Sequence, residues 1–227
     1  EVKYREGSAE EEEAKKEESE EAEEFEIPKN VKQIGEVEKE RKLYIEDYVI
    51  TYLQQLTKNA EETKAAVFLG EKRVQKDCHY LFISGILEVE DTQFSQEQQN
   101  KIAEEKQKYF PNLELMGWLF AAPNQKLELT VEMEQRHRSL FPKEDTVLLV
   151  RDCIEQEEIL FLMEENRLCE QRGYYVYYEQ NTGMQDYLME HKKTESVEEE
   201  TKEEKAVQSF RRKFRKRQQG KETRTVR

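Results

Sequence analysis

The side chains best able to hold a metal or act as nucleophiles in this 227-residue chain are three cysteines and three histidines: Cys78, Cys153, Cys169, His79, His137 and His191. A zinc site needs nitrogen, sulfur or oxygen donors that converge, and spacings such as C-x-x-C or H-E-x-x-H supply two of them from one local stretch. None of these spacings occurs. Cys78 and His79 are adjacent and would make half of a site, but the other ligands would have to come from unpatterned positions such as His137 or Asp152. Reduced, partly buried thiols in a cytosolic protein are the default for an odd and scattered set of cysteines. An unconventional metallohydrolase built on Cys78, His79, His137 or Asp152 is therefore the competing reading, and no cofactor is expected.

The elements that would position such groups can be read from hydrophobic spacing. In "YIEDYVITYLQQLTKNA", residues 44–60, Ile45, Val49, Leu53 and Leu56 recur at helical intervals. "AAVFLGE", with Gly70 as a turn, and "HYLFISGILEVE" predict strand, hairpin turn and strand. Ser95 with Gln98 three residues on has the form of a capping box, opening a helix that Pro111 stops. "LELMGWLFAAP", residues 113–123, is nearly all apolar and predicts a strand buried on both faces in the middle of a sheet. A helix follows with Met133, His137, Leu140 and Phe141 on one side. "DTVLLVRD", "EEILFLMEENRL" and "GYYVYYEQ" predict three more strands, and "GMQDYLMEH" a closing helix. The expected fold class is α/β (α+β): a mixed central sheet flanked by helices.

The stretch ending in Pro123 and this order of elements resemble the MPN fold family, also called JAB or JAMM. In its catalytic members, zinc isopeptidases and metalloproteases, a strand ending G-W-x-H-x-H-P is followed by S-x-x-D at the head of a helix. Gly117, Trp118 and Pro123 match that pattern. The two histidine positions are Phe120 and Ala122; the serine position is Thr130 and the aspartate position Met133. The family's upstream glutamate would fall near Thr63. Phenyl, methyl and thioether groups cannot replace imidazole and carboxylate donors to zinc. The resemblance therefore implies a degenerate member with neither metal nor hydrolytic activity, in which Phe120 and Met133 fill the emptied volume and Thr130 serves as a helix N-cap. The same stretch also fits a buried strand ending at a Pro-containing turn in an unrelated α/β fold, with the same consequence for catalysis. A second resemblance, of "LYIEDYVITYLQQL" and "GYYVYYEQNTGMQDYL" to proteins of Clostridia-type bacteria, implies no activity.

Tyr174 to Tyr178 form the most unusual composition of the central region. On a strand, Tyr175 and Tyr177 share one face while Tyr174, Val176 and Tyr178 share the other. Tyrosine is enriched where surfaces recognise partners, which makes Tyr175, Tyr177 and the nearby Tyr187 a candidate interaction surface. The plainer alternative is a strand covered by neighbouring helices.

The net charge of −14 hides a polarity along the chain. The first 26 residues carry thirteen Glu against four Lys and Arg, whereas residues 205–227 carry ten Lys and Arg against one Glu. Such segments bury too little apolar surface to order themselves. The expected organisation is an acidic disordered tail over 1–41, an MPN-like globular domain over 42–191, and a charged linker with basic tail over 192–227. Two uses of Arg211, Arg212, Lys213, Arg215, Lys216 and Arg217 stay open. One is contact with an anionic membrane surface beside a transmembrane segment beyond Arg227. The other, less favoured beside an acidic core, is nucleic-acid binding with Phe210 and Phe214 available for stacking. Attraction between the two tails, within one chain or between copies, would give self-association. The chain itself contains no apolar stretch of about 18 residues and no signal peptide. Taken together, the sequence predicts a cytoplasmic, membrane-associated, non-catalytic protein-interaction or scaffold module whose protein partner is unspecified.

Overall fold

A computed structural model of the chain describes residues 25–192. The described strands are β1 (Val31–Gly35), β2 (Arg41–Glu46), β3 (Lys64–Gln75), β4 (Cys78–Val89), β5 (Glu114–Ala122), β6 (Val147–Asp152), β7 (Glu158–Glu164), β8 (Arg167–Gln171) and β9 (Gly173–Tyr177). The described helices are α1 (Asp47–Thr57), α2 (Gln96–Tyr109), α3 (Val131–Leu140) and α4 (Thr182–Lys192). All nine strands join one mixed sheet in the order β1-β9-β2-β4-β3-β5-β6-β7-β8. The expected α/β class with a mixed sheet and flanking helices is the one observed. The compact unit that contains this sheet runs through Tyr187. None of the described helices is long and apolar enough to cross a membrane.

β5 and β6 lie inside the sheet as a parallel pair, with β3 on one side and β7 on the other. Their near-continuous apolar sequences follow from that placement, because both faces of each strand are covered; all six residues of β6 are buried. The sheet curls on itself. Arg41 on β2 reaches Glu164 on β7 with Nη1–Oε2 at 3.3 Å, although four strands lie between them in the sheet order.

Several boundaries differ from the sequence expectations. The folded part begins before residue 42: β1 pairs antiparallel with β9, and β2 starts at Arg41. Ile45 belongs to β2 rather than to a helix, and α1 begins only after Glu46, whose carboxylate caps it by accepting from the Tyr48 amide at 2.8 Å. Gly70 is not a turn. It sits inside β3 at a bulge, where an added Cβ would stand 1.8 Å from the Phe82 carbonyl oxygen, and the reversal is made by Lys76 and Asp77. The run "EEILFLMEENRL" is two strands, β7 and β8, joined at Glu165 and Asn166. Ser95 does cap α2, accepting from the Gln98 amide, but the capping box is not completed: the Ser95 amide donates to Asp91, while Gln98 accepts from the Asp91 amide.

Candidate functional site

Trp118, Phe120 and Ala122 alternate along β5 and so share one face of the sheet. Helix α3 covers that face. The Trp118 indole Nε1 donates to His137 Nδ1 at 3.2 Å, and the two rings of Trp118 and Phe120 meet edge to face at 6.2 Å. Met133 is one helical turn before His137 and buried with it. Phe120 and the helix that carries Met133 thus lie on the same side of the sheet. Thr130 is the N-cap of α3, its hydroxyl accepting from the Met133 amide at 3.2 Å. Thr63 immediately precedes β3, whose first residue, Lys64, pairs with Ala121. Of the positions matched to the MPN motif, Thr130 and Met133 meet at the head of α3 and Thr63 lies one residue before the partner of Ala121; with Phe120 and Ala122 they present hydroxyl, thioether, phenyl and methyl groups.

Gly117 has a reason of its own to be glycine. Its φ is +144°, and a Cβ would lie 1.9 Å from the carbonyl oxygen of Val147 on the paired strand β6. The Gly–Trp dipeptide is fixed by backbone approach and core packing, with no appeal to chemistry at the site. Pro123 follows at the half-buried end of the strand.

The residue types able to bind metal are dispersed. His137 is fully buried and both ring nitrogens are engaged: Nδ1 accepts from the indole, so Nε2 carries the proton and donates to Thr146 Oγ1 at 2.9 Å. Burial, helped by the nearby Arg138 charge, lowers its pKa to about 4. His79 instead meets the buried carboxylate of Asp145, with Nδ1–Oδ2 at 2.9 Å, in a cluster that also contains Arg41 and Lys72. Asp152 pairs with Ala122 across β5 and β6, and its Oδ1 accepts from the amides of Asn124 and Ile154. Among the described residues no three His, Cys, Asp or Glu side chains converge as a metal site would require. The residues at the β5 end do not fit a zinc site: the one carboxylate, Asp152, already caps a turn, phenyl and methyl have no lone pair to give, the Thr130 hydroxyl is engaged in the helix cap, and no imidazole or thiolate joins them.

The three tyrosines expected to form one surface do not. Tyr187 is fully buried between Tyr52 and Tyr109, with ring centroids at 5.5 and 5.4 Å, and its hydroxyl accepts from the Glu88 amide. Tyr177 is buried as well; Tyr175 is half-buried. Tyr175 and Tyr177 do share a face, in an aromatic layer with Tyr44, Tyr80 and Phe82 that spans β9, β2 and β4. Phe25 closes over it edge to face, 5.0 Å from Tyr80 and 5.8 Å from Phe82. The basic-tail positions Arg211, Arg212, Lys213, Arg215, Lys216 and Arg217 lie outside the described residues.

At the edge of this aromatic layer lies an open cleft of about 530 Å³. Phe82 and Tyr177 line it together with Phe110 at the end of α2, and Glu26, Glu71 and Glu179 stand exposed around it. Glu46 lines it from the buried head of α1 and accepts from Asn181 Nδ2 at 3.4 Å. Asn181 also donates to the Ser84 carbonyl at 2.6 Å and accepts from the Met184 amide, which fixes the loop between β9 and α4. Burial first, then the charges of Glu46 and Glu179, raise the pKa of the Tyr177 hydroxyl. Sequence reasoning missed this cleft because its lining comes from six separated segments. The one available signal was the aromatic alternation repeated in β4 and β9.

The chain matches no family model and no curated protein. Among solved structures it is similar to the solution structure of protein DSY2949 from Desulfitobacterium hafniense. The identity is 10% and the TM-score 0.43, over 61% of this chain and 93% of that one.

Proposed function

We propose that this chain is a non-catalytic domain of the MPN kind that acts by binding other proteins. The observation that carries the reading is the environment of the β5 end. Where a hydrolase would gather imidazole and carboxylate around a metal, this chain sets Phe120 against the Trp118 indole and buries Met133 on the facing helix. The remaining polar groups are committed to structure: Thr130 to the α3 cap, His137 to Trp118 and Thr146, Asp152 to two loop amides. A polar pocket that loses its ligands either holds water or fills with side chains, and Phe with Met is a filling pair.

The test is elemental analysis of the purified protein beside a hydrolysis assay on isopeptide-linked and linear peptide substrates. Substoichiometric zinc and intact substrates are expected. Stoichiometric zinc that is lost in His79→Ala, or turnover that a chelator abolishes, would overturn the proposal. His79 is the informative position because it is half exposed, so its loss can be separated from loss of the core.

A further inference from the structure

The cleft beside Phe82 and Tyr177 has the chemistry of a cation site. Of the charged side chains that line it, four are carboxylates, Glu26, Glu46, Glu71 and Glu179, and one is a cation, Arg73. Arg73 and Glu71 neutralise one another at 2.9 Å and Glu26 meets Lys29 at 3.4 Å, but both pairs are well exposed to solvent, so an incoming cation can exchange into them at little cost. Arg73 also shows which contacts the lining offers, since its guanidinium lies 5.3 Å from the centroid of Phe25 while bonded to the Glu71 carboxylate. A cation held between a carboxylate and an aromatic face is stabilised by both charge and ring quadrupole. The surplus of negative charge disfavours phosphate, so this face suits neither a nucleic acid nor an anionic lipid headgroup.

We propose that the cleft docks a basic peptide segment of a protein partner, its Lys or Arg side chains meeting Glu26, Glu71 and Glu179 and its apolar groups resting on Phe82, Phe110 and Tyr177. A peptide fits better than a free polyamine for two reasons. The cleft is open, with its carboxylates spread around the rim, so successive side chains of an extended segment can reach them. Its floor is aromatic, which a polyamine would leave only partly covered. The assignment rests on the reading of this chain as a binding module and supplies the chemical class of its partner.

The experiment is fluorescence anisotropy of the full chain with a fluorescein-labelled Ala-Arg-Lys-Phe-Arg-Ala peptide at low and moderate salt. The controls are a peptide with Glu at the basic positions, and spermidine as competitor. The cleft variant is Glu71→Lys with Glu179→Lys, both exposed positions whose change leaves the core intact, as unaltered circular dichroism would verify. Saturable, salt-sensitive binding of the basic peptide is expected, with affinity lowered about tenfold or more in the variant. Three results would overturn the proposal: no binding, binding unchanged in the variant (attraction to the acidic first 24 residues), or equal competition by spermidine (charge alone). Cleavage of the peptide, read by mass spectrometry, would instead sink the non-catalytic reading while leaving the docking site in place.

Discussion

The Trp118 indole donates to Nδ1 of His137 inside the core, and this one hydrogen bond fixes the tautomer and protonation state of a fully buried imidazole. A charged imidazolium would carry a proton on Nδ1 and could no longer accept from the indole. Burial acts in the same direction, which is why the pKa is lowered to about 4.

The first prediction follows by linkage. Above the unfolded pKa of 6.5, His137 is neutral in both states and has no effect on pH dependence. Between that value and about 4, the unfolded chain takes up a proton that the native state refuses, so stability falls as pH falls. The full loss from this group is about 3 kcal/mol. Urea midpoints measured from pH 7.5 down through that window should decline, and His137→Gln should flatten the decline while lowering the neutral-pH midpoint. An unchanged slope in the variant would show that other groups set the acid response.

Thr130 gives the second prediction, directed at the helix that covers β5. Its hydroxyl satisfies the Met133 amide, which otherwise has no intrahelical acceptor. Thr130→Ala should cost about 1 kcal/mol and Thr130→Ser much less, because serine keeps the accepting oxygen. Thermal unfolding of the pair separates a capping role from packing of the threonine methyl, which would penalise both substitutions.

What could be read in the sequence tracks how local each cause is. β5, β6 and α2 were legible because burial on both faces, or a cap and a terminating proline, leave a mark within a few residues. β1 was not: in "VKQIG" only Val31 and Ile34 are apolar, Val31 is exposed, and the strand forms because β9 offers it a partner far along the chain. Ile45 misled for the opposite reason. It continues the helical spacing of Val49 and Leu53, yet its neighbours Tyr44 and Glu46 pair with Tyr175 and Tyr177, and that pairing prevails over spacing. The β7–β8 turn places Glu165 and Asn166 at φ of 46° and 61°, a left-handed pair in which Glu gives little warning. At the site, the motif around Trp118 was legible while the cleft was not, since no two of its acidic side chains come from one segment.

Gly117 carries the third prediction. Substitution by alanine would force a Cβ into the space of the Val147 carbonyl, in a backbone conformation that L side chains rarely adopt. Because β5 and β6 are paired at that point inside the sheet, neither strand can withdraw without breaking the ladder. Gly117→Ala should cost more than about 3 kcal/mol, or abolish soluble expression altogether. Gly183→Ala, at a helical position where the closest contacts are the Tyr109 carbonyl and the Phe110 ring, should be milder. Comparison of the two by chemical denaturation tests whether the Gly–Trp pair is held by backbone geometry.

Asp145 supplies the last prediction, because its carboxylate gathers the side chains that close the curl of the sheet. It is buried, at a left-handed φ of 61°, and meets Arg41 at 3.2 Å, Lys72 at 3.2 Å and His79 at 2.9 Å, from three different strands. Burial alone would raise its pKa; hydrogen bonds from His79, Lys72 and Arg41 outweigh that and hold it below the ordinary carboxylate value. The stability it contributes is therefore complete above the unfolded pKa of 3.8 and is lost as pH falls through the lower native value, beneath the window in which His137 acts. Asp145→Asn keeps the size and tolerates the left-handed backbone, so it isolates the charge. It should cost roughly 2 kcal/mol at neutral pH, less than a fully buried pair would, because Arg41, Lys72 and His79 retain partial access to water. Hydrogen exchange should localise the loss to β2, the end of β3 and the start of β6. Uniform loss across the sheet would mean that the cluster stabilises the fold without closing the curl.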